Sequence, residues 1–263
     1  MATFPSFCIA VPMYNEEQGA ETCVRTLSHA LSSYPEGTTL LVVNDGSADA
    51  TGSILSRLSR ELGNLTVVTN PKNLGYGGAI RTAIRKAAEI GCDYVLFMDS
   101  DLTNDPKYIG PFVDMMREGV DLIKASRYVK GGRAIGVPLY RVCISVVGNA
   151  VARLMFGLPL SDCTNGFLAW KVSILKQMPL EESGFAILME QLYYARHCAT
   201  TFAEVPYTLT ARTETVRRSS FHYRPKVFWL YFKHPLMSAL RISPKPLLAP
   251  MEESNAADNL SRL

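Results

Sequence analysis

Two carboxylates stand one residue apart in Phe97-Met98-Asp99-Ser100-Asp101-Leu102, directly after an apolar run. The residues from Asp93 to Met98 predict a buried strand. Acids at the end of a strand lie at the edge of a sheet, where open α/β folds bind ligands. Two carboxylates so placed suit Mg²⁺ or Mn²⁺. The alternative is a solvated turn in which Asp101 or Thr103 caps the helix that Pro106 begins.

The elements that would position these acids alternate along residues 7 to 125. Short apolar runs predict strands, and the amphipathic stretches between them predict helices. Strands that alternate with helices indicate βαβ units, and hence a Rossmann-like, mostly parallel sheet flanked by helices. The predicted strands are Phe7–Val11, Thr39–Val43, Leu65–Thr69, Asp93–Met98 and Asp121–Ala125, and the predicted helices cover roughly 16–33, 49–62, 76–90 and 106–118.

Polar side chains also follow the first two predicted strands. The first strand ends in Val11-Pro12-Met13-Tyr14-Asn15-Glu16, and the second ends in Val43-Asn44-Asp45-Gly46-Ser47. Because parallel strands share a carboxyl edge, these groups would lie beside the acidic pair. Asp45 could accept hydrogen bonds from a nucleotide base or ribose, or it could brace a turn. The glycine-rich stretch Asn70–Ala79 lacks a known phosphate-binding motif, so we expect its glycines to serve helix packing against the sheet.

The second half of the chain is richer in basic residues. Ser126–Arg133 is a basic, glycine-containing loop. Leu139–Leu158 predicts an apolar helix with one polar stripe. The stripe is either the seam of a buried helix or the polar face of an interfacial helix that offers its cation and hydroxyl to an anionic headgroup. Its residues recur every four positions: Arg141, Ser145, Asn149 and Arg153.

The C-terminal stretches mix aromatic, basic and polar residues. Lys226–Ile242 predicts an amphipathic helix that either anchors at a membrane interface or packs back on the domain. His234 has no evident partner in the sequence, so we expect it at the surface. Residues 244–263, in which prolines precede polar residues, are expected to be disordered.

Composition limits the function classes. The chain has 263 residues, 48% hydrophobic and 19% charged, enough for a sizeable core. Its net charge of +3 gives no argument for a nucleic-acid partner. Six scattered cysteines without a C-x-x-C favour a reducing compartment. No signal peptide and no uninterrupted apolar run of about 18 residues is evident. We therefore expect a cytoplasmic protein that lies on a membrane without crossing it.

Taken in order, the motifs resemble those of family 2 glycosyltransferases with the GT-A fold, in particular dolichol-phosphate mannose synthases and polyprenyl-phosphate glycosyltransferases. The resemblance implies a catalytic domain over 1–221, with a nucleotide-binding half at about 7–125 and an acceptor-binding half at about 126–221. An amphipathic helix at 222–243 and the tail at 244–263 would follow. The motifs beyond those quoted above are Asn73-Leu74-Gly75-Tyr76-Gly77, Ser126-Arg127-Tyr128, Asp162-Cys163-Thr164-Asn165-Gly166-Phe167 and Glu204-Val205-Pro206.

The resemblance also implies roles for individual residues. Asp99 and Asp101 would bind Mg²⁺ or Mn²⁺ together with the donor diphosphate, and Asp101, Arg127 and Arg212 would carry catalysis. The nucleotide-binding set would be Pro12, Tyr14, Glu16, Val43, Asp45, Asp99 and Ser100. The set that binds the acceptor phosphate would be Arg127, Arg141, Ser145, Arg212 and Ser220.

The implied activity is an inverting transfer of a hexose, mannose from GDP-mannose first of all, from a nucleotide-sugar to a polyprenyl or dolichyl phosphate on the cytoplasmic face of a membrane. A cation and arginines can stabilise the diphosphate leaving group, and an ionised acceptor phosphate needs no strong base. Three departures from the family pattern leave the donor open. Thr103 replaces the usual Gln, Leu168 replaces the usual Arg, and Arg217–Phe221 lacks the usual Gly and Lys.

Three alternatives therefore stand beside this hypothesis. The donor could be a UDP-sugar. The acceptor could be a saccharide hydroxyl, which would need a catalytic base such as Glu190 or Asp162. The protein could also bind a nucleotide-sugar without transferring it.

Overall fold

The structure, a computed structural model, describes residues 4–35, 37–210 and 225–248. A seven-stranded sheet with the order β3-β2-β1-β4-β7-β5-β8 forms its centre, and β6 and β9 form a second, two-stranded sheet. The strands are β1 Phe7–Met13, β2 Thr39–Asn44, β3 Leu65–Thr69, β4 Tyr94–Phe97, β5 Leu122–Ser126, β6 Arg133–Ile135, β7 Leu168–Lys171, β8 Phe202–Pro206 and β9 Thr208–Thr210. The helices are α1 Ala20–Leu31, α2 Thr51–Glu61, α3 Gly75–Glu89, α4 Ile109–Arg117, α5 Leu139–Phe156, α6 Val172–Leu175, α7 Ile187–Cys198 and α8 Pro225–Ala239.

The direction of β7 determines what meets at the carboxyl edge of the sheet. Strands β3, β2, β1 and β4 are parallel, as the sequence predicts, and β8 is parallel to β5. Strand β7 runs antiparallel between β4 and β5, with Leu168 paired to Phe97. Because β7 begins where β4 ends, the loop that precedes β7 lies beside Asp99. The mixed sheet therefore brings the Asp162–Phe167 segment to the predicted site.

Side chains alternate along the strands and fill a core on each face of the sheet. Cys8 and Ala10 pack into the core that α3, α5 and α7 cover, whereas Phe7, Ile9 and Val11 pack into the core beneath α1, α2 and α4. A sheet buried on both faces explains why the strands read as nearly continuous apolar runs. The predicted α/β class with a mostly parallel sheet is confirmed.

Helix α5 corrects the expectation about membrane spans. It is 18 residues long and, by length and composition, apolar enough to cross a membrane. Two arginines interrupt the apolar run, which is why no uninterrupted stretch of that length is evident in the sequence. Only 17% of the helix is buried. Leu139 and Leu154 are 77% and 83% exposed, so much of its apolar surface has no protein cover.

The C-terminal part differs from expectation at two places. His234 in α8 is buried, not on the surface, because α8 packs against α5 and α7. Residues 244–248 are not disordered: Lys245 pairs with Glu181, and the N–H of Leu248 donates to the carbonyl of Gln177. Residues 211–224 and 249–263 lie outside the described residues, and the domain bounds stay predictions.

Candidate active site

The acidic pair lies in a tight turn directly after β4. The main-chain N–H of Asp99 donates to Oδ1 of Asn104 over 2.6 Å. Thr103 donates both its N–H (3.0 Å) and its hydroxyl (2.6 Å) to Oδ1 of Asp101. The turn at Pro106 is capped by Asp105, whose Oδ1 accepts from the N–H of Lys107 over 2.9 Å. The capping role considered for Asp101 or Thr103 is therefore wrong.

These residues fit a cation that arrives with a diphosphate. Asp99 and Asp101 are both half-buried at the sheet edge. In the part of the chain that the structure describes, no cluster of three or more His, Cys, Asp or Glu could hold an ion. Mg²⁺ is commonly held by one or two carboxylates, with substrate phosphates and water completing its coordination. The donor set therefore suits a metal shared with the substrate.

The segment after β1 is fastened to the segment after β2. Asn15 has a positive φ of 54°, and its Oδ1 accepts from the N–H of Ala48 over 2.9 Å. The N–H of Glu16 donates to the hydroxyl of Thr51 over 2.8 Å. This pairing places Tyr14 at the surface, with Pro12 and Glu16 half-buried. These three residues line the sheet edge as predicted, and their contact with a nucleotide stays a prediction.

Val43 and Asp45 face inward from the end of β2. The side chain of Val43 is fully buried in the core, and the predicted contact of this residue with a nucleotide stays a prediction. Asp45 is also buried, and its Oδ1 accepts from Nδ2 of Asn70 (2.7 Å) and from the N–H of Leu74 (3.0 Å). Asp45 therefore braces the glycine-rich loop.

The glycines of that loop allow the start of α3 to approach another segment closely. The expected partner was the sheet, whereas the observed partner is the 182–183 segment. A Cβ on Gly75, which has a φ of +78°, would lie 2.5 Å from the carbonyl oxygen of Ser183, and one on Gly77 would overlap the carbonyl oxygen of Glu182. The N–H of Gly77 also donates to the carbonyl of Ser183 over 2.8 Å. The helix packs on the 182–183 segment, not on the sheet alone.

Arg127 and Asp162 form a two-point ion pair on the other side of the acidic turn. Nε of Arg127 lies 2.7 Å from Oδ2 of Asp162, and Nη2 lies 2.8 Å from Oδ1. Asp162 is fully buried. Glu190 is buried as well, and its two oxygens accept from the N–H groups of Glu181 and Glu182 at 2.9 Å each. Neither acid is placed to serve as a base for a hydroxyl acceptor.

The four residues of the polar stripe of α5 lie in three different environments. Arg141 and Ser145 face the site, Arg153 is exposed, and Asn149 is buried. Oδ1 of Asn149 accepts from the N–H groups of Cys163 (2.7 Å) and Thr164 (3.0 Å). Asn149 was not among the predicted site residues, although its place in the polar stripe was a signal. Asn149 joins α5 to the loop before β7.

A cavity of about 360 Å³ lies between Asp99 of the acidic turn, Arg127 and the polar stripe of α5. It lies between the carboxyl edge of the sheet, α5 and α8. Its polar end carries Asp99, Arg127, Arg141, Ser145, Thr164 and Asn165, and its apolar wall carries Ile144, Ala152, Met189, Tyr231, Phe232 and Pro235. Ser100 is half-buried beside Asp99. Arg212 and Ser220 lie outside the described residues.

Paired acids at the carboxyl edge of a mostly parallel sheet, next to a cavity with basic and apolar walls, are typical of glycosyltransferases with the GT-A fold. The sequence pattern described as Glycosyl transferase family 2 matches residues 8–178, and the chain belongs to that family. Thr103 and Leu168, which depart from the pattern expected of this family, lie at the acidic turn and at the start of β7.

Curated relatives agree over most of the chain. The undecaprenyl-phosphate mannosyltransferase of Micrococcus luteus is 30% identical over 205 residues, which are 77% of this chain and 82% of that protein. The dolichol-phosphate mannosyltransferase of Pyrococcus furiosus is 30% identical over 86% of this chain, but the match spans only 61% of that longer protein. The polyprenol monophosphomannose synthase of Mycolicibacterium smegmatis is 27% identical, over 81% of this chain and 80% of that protein.

Solved structures support the fold. Glucosyl-3-phosphoglycerate synthase of Mycobacterium tuberculosis in complex with UDP superposes with a TM-score of 0.58, at 20% identity, over 92% of this chain and 82% of that one. The same enzyme with Mn²⁺, UDP and glucosyl-3-phosphoglycerate gives a TM-score of 0.56 at 21% identity, over the same shares. At this identity the likeness shows the fold alone.

Proposed function

We propose that the protein transfers mannose from GDP-mannose to a polyprenyl phosphate at the surface of a membrane. The observation that carries this proposal is the amphipathic cavity between the sheet edge, α5 and α8. Arginine and hydroxyl groups at its polar end match a phosphate. The aromatic and aliphatic side chains along its wall match an isoprenoid chain. The names of the mannosyltransferase relatives support the same acceptor and sugar.

The chemistry follows from the charges at the polar end. A bound divalent cation would neutralise the diphosphate as negative charge develops on it. Arg127 and Arg141 lie on the same cavity and would hold the acceptor phosphate next to the sugar. Attack from the face opposite the diphosphate would invert the anomeric carbon. The acceptor oxygen forms the new bond to that carbon while the bond to the diphosphate breaks, and the nucleoside diphosphate leaves.

The positions of the buried acids argue against a saccharide acceptor. A hydroxyl nucleophile must lose its proton, whereas a phosphate dianion has none to lose. Asp162 is committed to Arg127, and Glu190 is committed to the N–H groups of residues 181 and 182. A phosphate acceptor needs neither of them as a base.

Exposed apolar residues support a peripheral membrane location, which we propose to be on the cytoplasmic face. Leu139, Val147 and Leu154 of α5 are exposed, and so is Trp229 of α8. These exposed side chains belong to α5 and α8, the two helices that also form a wall of the cavity. An α5 lying in the interface would place the mouth of the cavity beside the lipid tails of an acceptor.

A transfer assay tests the proposal. The full chain is incubated with farnesyl phosphate and Mg²⁺ or Mn²⁺, in separate reactions with GDP-mannose, UDP-glucose and other nucleotide-sugars, and products are read by mass spectrometry. Mannosyl lipid phosphate from GDP-mannose alone is the expected result. Product from UDP-sugars alone would correct the donor. Nucleotide-sugar binding without any product would overturn the proposed transfer.

A further inference from the structure

Lys124 is a fully buried lysine that follows the apolar residues Leu122 and Ile123 in β5. It lies in β5, its exposed fraction is 0%, and its Nζ donates to the carbonyl oxygen of Asn165 over 2.7 Å. A buried ammonium is costly unless other charges compensate for it. Residues buried this deeply in a strand are normally apolar. A lysine at this position therefore indicates that nearby charges stabilise its ammonium group.

The compensating charges lie around the loop that forms the floor of the cavity. Glu204 is the register partner of Lys124 on β8, so both side chains point to the same face of the sheet. The Glu204 carboxylate accepts from the N–H of Ser161 (2.9 Å) and from the N–H of Asp162 (3.0 Å). Asp162 in turn pairs with Arg127. The cluster therefore holds two positive and two negative charges.

We propose that Lys124 is a positioning residue of the cavity, which keeps the charge cluster beneath it neutral and holds the Asn165 main chain at its floor, so that the cavity retains its affinity for a phosphate-bearing substrate. The inference rests on the proposed function for the class of substrate. Without the ammonium, the two carboxylates would outnumber Arg127 by one charge. That net negative charge would lie directly under the site of an anion.

The titration of Lys124 gives this role a distinctive signature. Burial lowers the pKa of Lys124 to about 8; the facing Asp162, Cys163 and Glu204 oppose this shift, and Arg127 adds to it. Burial also raises the pKa of the Cys163 thiol to about 11, so this thiol stays neutral near pH 8. Lys124 therefore loses its charge as the pH rises through about 8. Anion binding should weaken over the same interval.

The test compares Lys124→Met with Lys171→Met. Lys171 is the matched control, since its Nζ likewise donates to a main-chain carbonyl, that of Gly119, and pairs with an acid, Asp121, away from the cavity. Dissociation constants for farnesyl phosphate are measured by calorimetry on the full chain between pH 7 and 9.5. The probe stays dianionic there, because the second pKa of a phosphate monoester is about 6.

We expect wild type and Lys171→Met to bind about tenfold more weakly at pH 9.5 than at pH 7, because the anion then faces one more net negative charge in a protein environment. Lys124→Met should already bind about tenfold more weakly at pH 7 and show no further change. If Lys124→Met does not fold, Lys124→Gln, which keeps a donor without the charge, takes its place. Equal binding by wild type and the Lys124 variant at pH 7, or a shared pH dependence, would overturn the inference.

A result that contradicts the proposed function can be distinguished from one that contradicts the role of Lys124. If the wild type does not bind farnesyl phosphate, the lipid acceptor is wrong. The same comparison with methyl phosphate, a monoester that also stays dianionic over this interval, then decides the role of Lys124, because any anion in the cavity would respond to the cluster charge. An affinity for methyl phosphate that is independent of pH in every variant would overturn the inference by itself.

Discussion

Nε2 of His234 lies 3.0 Å from Oε1 of Glu182, and the same oxygen accepts a hydrogen bond from Nζ of Lys233 over 2.8 Å. The main chain of Glu182 is engaged as well. Its N–H donates to Glu190, and its carbonyl oxygen accepts from Arg81 of α3 over 2.6 Å. One residue thus joins α8, which walls the cavity, to α3, which follows the glycine-rich loop.

Glu182→Ala should loosen α8. The substitution removes two hydrogen bonds to a half-buried carboxylate, so we expect the free energy of unfolding to fall by about 2 kcal/mol. Hydrogen exchange of the α8 amides should accelerate. Glu181→Ala is the control, because the Glu181 side chain pairs with the exposed Lys245 at the surface and its loss should change little. Equal exchange rates of α8 in the two variants would contradict the joining role of Glu182.

Acid should destabilise the fold around the same contact, because it puts a positive charge on the buried His234 ring. Burial lowers the pKa of His234 below its ordinary 6.5, although Glu182 and Glu190 oppose the shift. Burial alone would raise the pKa of Glu182, but hydrogen bonds from Lys233 and His234 outweigh it and lower that pKa. The unfolded chain therefore binds protons at a higher pH than the folded protein does. Stability is lost as the pH falls below 6.5 because of His234, and further below 4.5 because of Glu182.

Urea unfolding between pH 7.5 and 5 measures this effect. His234→Gln should flatten the decline in the free energy of unfolding between pH 6.5 and 5, where a single proton contributes at most about 1.4 kcal/mol per pH unit. His29→Gln, at an exposed position on α1, should keep the wild-type dependence. If the free energy of unfolding still declines over this interval in His234→Gln, the decline comes from other groups.

Much of this architecture can be predicted from the sequence, because local patterns carry it. The five strands and four helices of residues 7 to 125 come from apolar periodicity, and their ends differ by only a few residues from the structure. The three-residue strands β6 and β9 leave no periodic signal, since they form only by pairing with each other. Strand β7 begins with the apolar residues Leu168, Ala169 and Trp170, but its antiparallel neighbours β4 and β5 depend on tertiary contacts.

The site is harder to predict because burial decides what each acid does. Asp45, Asp162 and Glu190 look alike in a sequence, yet each is committed to a different set of partners inside the protein. His234 gains its partner from a residue 52 positions away. Lys124 was a signal that could have been used, since a lysine in an apolar strand requires compensation.

Asp101→Ala should abolish transfer while leaving the fold intact. The side chain accepts two hydrogen bonds from Thr103, so its loss should cost about 1 kcal/mol of stability. Asp105→Ala is the control, because it removes a helix cap at a similar cost of about 1 kcal/mol and leaves the acidic pair in place. Turnover in the GDP-mannose assay and thermal unfolding separate the two effects.

Removal of divalent metal should abolish transfer, as the Asp101→Ala substitution should. We expect EDTA to stop transfer by the wild type and excess Mg²⁺ or Mn²⁺ to restore it, since the acidic pair suits a cation shared with the diphosphate. Added metal should not rescue Asp101→Ala. Full activity in EDTA, or an active Asp101→Ala protein, would contradict the metal-binding role of the pair.

Membrane binding should depend on the exposed face of α5. Leu139, Val147 and Leu154 are 77%, 63% and 83% exposed, so their replacement by Ser removes little packing inside the protein. Each side chain contributes about 1.5–3 kcal/mol when fully transferred from water to an apolar phase. Even partial insertion of all three would therefore strengthen vesicle binding by more than tenfold.

Flotation with liposomes that contain anionic lipids measures this contribution. The triple variant Leu139→Ser, Val147→Ser and Leu154→Ser should float far less than the wild type, whereas Ile90→Ser, an exposed apolar position at the end of α3, should behave like the wild type. With farnesyl phosphate in detergent-free solution, the triple variant should retain its turnover, because none of its residues lines the cavity. Unchanged flotation of the triple variant would show that α5 does not lie in the membrane interface.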